Sequence, residues 1–140
     1  MSDKYFVDTN ILVYAHDRAA GVKHERAKGL VEKLWGSGEG VVSTQVLQEL
    51  CVSLRKKAGV PLPVDEVRRL IQDYLSWEVV VNLPEATVQA LELESQYKIS
   101  FWDALIVHAA AAAGAKVLYS EDLSEGQKYG AVRVENPLKD

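Results

Sequence analysis

Short apolar stretches alternate along the chain with segments in which apolar residues recur at helical spacing. The short stretches, which predict β-strands, are residues 5–7, 41–43, 78–81, 116–119 and 131–134. The segments with apolar residues three and four positions apart, which predict helices, are residues 23–35, 44–58, 67–76, 84–97 and 101–113, with a further helical turn at 11–14. Short apolar strands that alternate with helices are typical of a parallel sheet covered on both faces. We therefore predict an α/β fold, a three-layer sandwich with a short central parallel sheet of four to five strands.

Length and composition favour one domain inside a cell. The 140 residues, of which 48% are hydrophobic, suit a single domain over residues 1–140. The one cysteine, Cys51, excludes a disulfide framework and a cysteine metal site, which fits a reducing cytoplasm. The N-terminus has no secretion-signal pattern, and the uncharged stretch between Asp103 and Lys116 is too short to span a bilayer. We expect a cytoplasmic protein without a membrane partner.

The formal net charge of −4 argues against a nucleic-acid partner, but the basic residues are clustered. Residues 18–33 contain two acids, Glu25 and Glu32, and a larger number of bases: Arg18, Lys23, Arg26, Lys28 and Lys33. Arg55, Lys56 and Lys57 form a second basic cluster. Both clusters are explained equally well as solvated helix faces. If RNA is the ligand, the candidates for phosphate contacts are Arg18, Lys23, Arg26 and Lys28.

Four carboxylates are placed where a parallel sheet usually binds its ligand. Asp8 and Asp122 directly follow predicted strands, Glu49 lies in the second turn of the helix after the second strand, and Asp103 begins the helix that leads into the fourth strand. Because ligands of open parallel sheets bind beyond the carboxyl ends of the strands, all four can reach one edge.

Each acid also has an ordinary structural explanation. Asp8 suits a helix N-cap, Asp122 a turn, Glu49 a solvent-facing helix position, and Asp103 the third helical position of a capping box that begins at Ser100. Four such explanations would have to coincide at the same edge of the sheet. A cluster of carboxylates repels itself unless a hard divalent cation neutralises it, and oxygen-only ligands favour Mg²⁺ or Mn²⁺ over Zn²⁺. The joint placement therefore favours a metal site.

The same residues carry a family resemblance that covers nearly the whole chain. Four segments in order resemble the acidic motifs of PIN-domain nucleases, especially VapC-type toxins of bacterial toxin–antitoxin pairs: residues 6–10 (Phe-Val-Asp-Thr-Asn), 43–50 around Glu49, 101–106 (Phe-Trp-Asp-Ala-Leu-Ile) and 119–123 (Tyr-Ser-Glu-Asp-Leu). The family pattern places its fourth acid two positions after a Ser or Thr, which selects Asp122 after Ser120. The neighbouring Glu121 competes for that role.

The resemblance implies an endoribonuclease that uses Mg²⁺ or Mn²⁺ bound by Asp8, Glu49, Asp103 and Asp122. It implies attack by water, leaving a 5′ phosphate and a 3′ hydroxyl, with Thr9, Asn10 and Ser120 orienting carboxylates, metal-bound waters or the scissile phosphate. It also implies a homodimer that is inhibited by a small antitoxin protein.

Three other functions stay open at this point. The chain could be a housekeeping RNA-processing nuclease, or a phosphohydrolase with Asp8 as nucleophile, although sites of the haloacid-dehalogenase type want a second aspartate where this chain has Asn10. It could also be a non-catalytic RNA-binding module. His16, His24 and His108 lack metal-site spacing and are assigned to packing or the surface. The tryptophans Trp35, Trp77 and Trp102 are assigned to the core, and Trp102 is the first to test for base stacking.

Overall fold

A computed structural model of the chain describes residues 3–56 and 58–139. Lys57, part of the second basic cluster, lies outside the described residues. The elements follow in the order β1 (Tyr5–Val7), α1 (Thr9–His16), a 3-10 turn (Arg18–Ala20), α2 (Val22–Ser37), β2 (Gly40–Ser43), α3 (Thr44–Lys56), α4 (Val64–Tyr74), β3 (Glu78–Val80), α5 (Pro84–Tyr97), α6 (Phe101–Ala112), β4 (Val117–Tyr119), β5 (Lys128–Tyr129) and β6 (Val132–Glu135).

The strands form one sheet in the order β3-β2-β1-β4-β6-β5. Every pairing is parallel except that of β5 with β6. From β1 the chain adds β2 and β3 on one side and, later, β4 and β6 on the other. The topological switch point of the sheet therefore lies between β1 and β4, and a crevice for a ligand is expected beyond their carboxyl ends.

The predicted α/β class and the five predicted strands are confirmed, and the sheet contains a sixth strand that the pattern does not predict. This strand, β5, has only two residues and pairs with β6 through a tight turn at Gly130, whose φ is +62°. A run of two residues between turns carries too little periodicity to be recognised in the sequence. The helix ends agree to within a few residues: Pro84 is the first residue of α5, and Gly114 follows α6 with a φ of +71°.

The core lies on both faces of the sheet. All four residues of β2 are buried, and since alternate side chains of a strand point to opposite faces, helices must cover both sides. Phe6 and Val7 of β1 and Leu118 of β4 are also fully buried. A smaller apolar cluster joins α5 to α6 through Ala86, Ala90, Ala104 and Leu105. This cluster packs the start of α6 against α5.

Among the described residues, no helix has both the length and the hydrophobicity needed to cross a membrane.

Candidate active site

Asp8 occupies the turn between β1 and α1, at the switch point of the sheet. It is the N-cap of α1, and its Oδ1 accepts a hydrogen bond from the backbone N–H of Thr9 at 2.7 Å. Only 5% of its surface is exposed. Burial raises the pKa of the Asp8 carboxyl to about 7; hydrogen bonds from Ser120 and Thr9 act in the opposite direction, and the charges of Asp122 and Asp103 raise it further.

The loop after β4 brings Ser120 and Asp122 to the same point. The fully buried Ser120 donates its hydroxyl to Asp8 Oδ2 at 2.9 Å and accepts hydrogen bonds from the backbone N–H groups of Asp122 and Leu123. The exposed Asp122 accepts a hydrogen bond of 2.7 Å from the side-chain amide of Asn10. Partial burial and the charges of Asp103 and Glu121 raise the pKa of Asp122, which the bond from Asn10 opposes.

Glu49 reaches the site from the second turn of α3. Its Oε1 accepts a hydrogen bond of 2.7 Å from the hydroxyl of Thr9, the residue after Asp8. Its Oε2 faces the side-chain amide of Gln45 at 3.4 Å, one helical turn earlier. The solvent-facing alternative for Glu49 is therefore wrong, because the half-buried carboxylate is tied to the start of α1.

Asp103 lies in the first turn of α6, where half of the expected capping box is formed. Ser100 is the N-cap, and its hydroxyl accepts a hydrogen bond of 3.0 Å from the backbone N–H of Asp103. The Asp103 carboxylate accepts no hydrogen bond from the described residues, so it does not close the box. It remains available to the site, where its charge raises the pKa values of Asp8 and Asp122.

One open cleft of about 440 Å³ collects these side chains. Its lining comprises Asp8, Thr9, Asn10, Gln45, Gln48, Glu49, Val52, Ser53, Trp102, Asp103, Ile106 and Asp122. The four carboxylates share this cleft, but no three acidic, histidine or cysteine side chains within residues 3–56 and 58–139 converge closely enough to enclose an ion by themselves. Several of the carboxylate oxygens are instead held by Thr9, Asn10 and Ser120.

Glu121, the competitor for the fourth acidic position, points elsewhere. Its carboxylate accepts hydrogen bonds from the Tyr14 hydroxyl at 2.8 Å and from Lys23 Nζ at 2.6 Å. Although partial burial opposes the change, these two partners hold the pKa of Glu121 below its ordinary value. The geometry places Asp122, and not Glu121, in the cleft lining.

The four candidate RNA-binding residues are spread over different environments. Lys23 is paired with Glu121 and lies over the Tyr14 ring, and Arg26 donates to the backbone carbonyl of Leu138 at 3.0 Å. Arg18 and Lys28 are exposed and line a second cavity beside His16 and His24. The sequence cluster is therefore not one continuous basic surface.

Two residues that line the cleft could not be assigned correctly from the sequence. The structure contradicts the assignment of Trp102 to the core, because 62% of its surface is exposed, whereas Trp77 is buried as expected. Trp35 is 39% exposed and packs against Tyr74 and Trp77.

The sequence does not single out Gln45, although its side-chain amide donates to Glu49 and, at 3.2 Å, to the backbone carbonyl of Trp102. The contact between Gln45 and Trp102 joins residues 57 positions apart and therefore leaves no local signal in the sequence.

The fold and the site together define a class: a doubly wound α/β domain with an acidic cleft at its switch point. Residues 5–124 match the PIN domain in sequence, and the chain belongs to the PIN-domain family. No curated protein matches the chain in sequence.

Solved structures share this fold at low sequence identity. VapC20 from Mycobacterium tuberculosis, described as a toxin that cleaves the sarcin-ricin loop, is 22% identical with a TM-score of 0.66, covering 85% of this chain and 90% of that one. A toxin–antitoxin complex from Klebsiella pneumoniae is 19% identical with a TM-score of 0.70, covering 96% and 98%. VapBC2 from Rickettsia felis, bound to a promoter DNA fragment, is 22% identical with a TM-score of 0.64, covering 94% and 97%. At these identities the likeness establishes the fold.

Proposed function

We propose that this protein is a metal-dependent endoribonuclease that hydrolyses RNA phosphodiester bonds, and that it is the toxin of a toxin–antitoxin pair. The observation that carries the proposal is the convergence of Asp8, Glu49, Asp103 and Asp122 on one cleft at the switch point of a PIN-domain sheet. Four carboxylates from separate parts of the chain have no joint role in packing.

The residues fit Mg²⁺ or Mn²⁺ better than other ions. The lining supplies carboxylate, amide and hydroxyl oxygens but no histidine or cysteine, and hard divalent cations prefer oxygen ligands. Burial, together with the charges of neighbouring carboxylates, raises the pKa values of Asp8 and Asp122, and a bound cation would favour the ionised form of both. Mg²⁺ usually keeps several waters and uses only one or two carboxylates, so it does not require three acids in direct contact. We propose that Asp8, Glu49, Asp103 and Asp122 hold the ion, partly through water.

A bound divalent ion supplies an acidified water and neutralises charge on a phosphoryl group. The side chains around it act by orientation. Ser120 and the Thr9 amide fix both oxygens of Asp8, the Thr9 hydroxyl fixes Glu49, and Asn10 fixes Asp122. Groups that orient the carboxylates of a metal site strengthen metal binding and activity. Thr9, Asn10 and Ser120 are therefore proposed as positioning residues.

Protein partners are part of the proposal. Solved relatives of the same fold include toxin–antitoxin complexes, which supports a small antitoxin as partner. Exposed apolar side chains are concentrated around the start of α5, at Val81, Leu83, Val88 and Leu91. Clusters of this kind mark protein interfaces, which supports a homodimer. A housekeeping RNA-processing nuclease remains the second candidate, and co-purification from the native host with a small protein separates the two roles.

The test is cleavage of end-labelled single-stranded and structured RNAs in Mg²⁺, in Mn²⁺ and in chelator. Cleavage is expected with either ion and not in chelator. Asp8→Asn, Glu49→Gln, Asp103→Asn and Asp122→Asn should each abolish most of it, while Asp73→Asn, an exposed acid outside both the cleft and the start of α5, serves as the matched control. Cleavage that persists in chelator would contradict the metal mechanism, and cleavage unaffected by the cleft substitutions would contradict the site.

A further inference from the structure

Trp102 is a large aromatic side chain that the packing of the fold does not explain. It is the second residue of α6, a helix in which most later side chains are buried, yet 62% of its own surface is exposed. Phe101 is its one aromatic neighbour within the described ranges, at 5.3 Å in an edge-to-face arrangement. An indole of this size normally buries most of its area, so its exposure calls for a ligand or a partner.

The indole lies in the wall of the acidic cleft. Trp102 and Ile106 of α6 and Val52 of α3 give this cleft an apolar side, opposite in character to the carboxylates. Val52 is itself 46% exposed. A nucleotide has the same division, with an anionic phosphate at one end and a flat aromatic base at the other. The apolar wall therefore suits the base, and a divalent ion held by the carboxylates would suit the phosphate.

Gln45 links the backbone at Trp102 to the carboxylate of Glu49. The Gln45 side-chain amide donates to the Trp102 backbone carbonyl at 3.2 Å and to Glu49 Oε2 at 3.4 Å. Since both partners can only accept, the orientation of the amide is set by the pair. Gln45 is 7% exposed, so this bridge is built into the fold. The backbone that carries the indole is therefore ordered before a ligand binds, which reduces the entropy lost on binding.

We propose that Trp102 forms a stacking subsite for an unpaired nucleobase next to the scissile phosphate, and so is a substrate-binding residue of the cleft. This rests on the proposed ribonuclease function and names a residue that binds the substrate of that same site. A base inside a duplex has both faces covered by its neighbours, whereas an unpaired base can offer one face to the indole.

A second copy of the chain is a less suitable occupant of this position. A protein face that closed over Trp102 would also cover the neighbouring carboxylates of Asp103 and Asp122, and removing charged groups from water is costly unless they are paired. A base stacked on the indole leaves those carboxylates open to water and ions.

The test measures RNA binding in the presence of Mg²⁺ in an Asp8→Asn background, which the proposed mechanism makes inactive. Adding Trp102→Ala should weaken binding of a labelled single-stranded oligonucleotide by about 5-fold to about 150-fold, the range for loss of one stacked base. Trp102→Phe, which keeps an aromatic face, should retain most of the affinity. Leu75→Ala, which shortens an exposed apolar side chain outside the cleft, should have no effect. Trp102→Ala should weaken the binding of a perfect duplex of the same sequence far less than it weakens the binding of the single strand.

Tryptophan fluorescence provides a second measurement. The oligonucleotide should quench the Asp8→Asn protein, and Trp102→Phe, which keeps Trp35 and Trp77, should remove most of that quenching. Unchanged binding and unchanged quenching in the Trp102 variants would overturn the subsite. A shift of Trp102→Ala toward monomer with unchanged RNA affinity would overturn it as well and assign the indole to a contact between copies. If the wild-type protein cleaves no RNA, the proposed function is wrong. The cleavage assay tests this independently of the binding measurements.

Discussion

The Ser120 hydroxyl donates a hydrogen bond of 2.9 Å to the buried carboxylate of Asp8, although the two residues are 112 positions apart in sequence. The bond joins the end of β4 to the end of β1, the two strands on either side of the switch point. It is one of two bonds that satisfy the Asp8 carboxylate, the other being its N-cap bond from Thr9. Ser120 also accepts hydrogen bonds from two backbone N–H groups of its own loop. One hydroxyl therefore holds both the loop after β4 and the carboxylate after β1.

Replacing Ser120 with Ala should destabilise the metal-free protein by about 1–3 kcal/mol, since a buried carboxylate and two backbone donors lose their partner. Removal of the hydroxyl should also raise the pKa of Asp8, because the bond from Ser120 lowers it. Urea denaturation in EDTA measures the stability. Ser120→Thr, which keeps the hydroxyl, should recover part of the loss. Equal stability of wild type and Ser120→Ala would show that the bond contributes nothing net.

The raised pKa of Asp8 predicts how the stability of the metal-free protein depends on pH. An unfolded aspartate titrates near 3.8, whereas burial raises the pKa of folded Asp8 to about 7. Between these values the folded state binds a proton that the unfolded state lacks, so this contribution to stability is fully present below pH 3.8 and is lost as pH rises to about 7. Asp8→Asn cannot ionise and should lose this dependence while keeping the capping oxygen for Thr9.

Measured in EDTA, the free energy of unfolding of wild type relative to Asp8→Asn should therefore fall between about pH 4 and pH 7. The total change should not exceed about 4.4 kcal/mol, which corresponds to the difference between about 7 and 3.8 at 1.36 kcal/mol per pKa unit. The difference between the two proteins isolates Asp8 from other titrating groups. A difference that is constant over this range would contradict the raised pKa.

The separate environments of the basic residues predict unequal effects on RNA binding. Arg18 and Lys28 are exposed beside one cavity, so Arg18→Ala and Lys28→Ala should each weaken RNA binding and reduce its salt dependence, by about 0.7 in the log–log slope for each phosphate of a single strand that the protein no longer neutralises. Lys23→Ala removes the partner of Glu121 and should alter the loop that carries Asp122 as well. Salt titrations of binding separate these effects. Unchanged slopes for Arg18→Ala and Lys28→Ala would return both residues to the solvated-face interpretation.

The sequence predicted those parts of the site that depend on strand ends and helix starts. Asp8 follows β1 and caps α1, which is a local pattern, and parallel strands carry such residues to one edge of the sheet. It could not separate Asp122 from Glu121, because their side-chain directions depend on Asn10, Tyr14 and Lys23, more than ninety positions away.

The exposure of Trp102 could not be predicted for a similar reason. A helical pattern shows which residues are apolar but not which neighbouring element covers each one. The bridge from Gln45 to Trp102 spans 57 positions of the chain and follows only from the packing of α3 beside the start of α6. The strand β5 was not predicted because its two residues form a strand only through their pairing with β6 and not through their own composition.

A metal site and a helix cap make opposite predictions for Asp103. The cap of α6 uses the Ser100 hydroxyl and the backbone N–H of Asp103, and neither is altered in Asp103→Asn. The carboxylate contributes negative charge beside Asp8 and Asp122, so its removal should leave the metal-free protein as stable as wild type or more stable. Ser100→Ala removes the cap itself and should cost about 1 kcal/mol.

Addition of Mg²⁺ should affect the two variants in the opposite way: it should stabilise Ser100→Ala and have little effect on Asp103→Asn. A ligand stabilises only the state that binds it, so wild type and Ser100→Ala should both gain in melting temperature, whereas Asp103→Asn should gain much less and should lose cleavage activity. Thermal denaturation with and without Mg²⁺ measures all three proteins under the same conditions. If Asp103→Asn were less stable than wild type in EDTA yet kept the Mg²⁺ shift and the activity, Asp103 would be a structural residue. The metal would then have to be bound by Asp8, Glu49 and Asp122 without it.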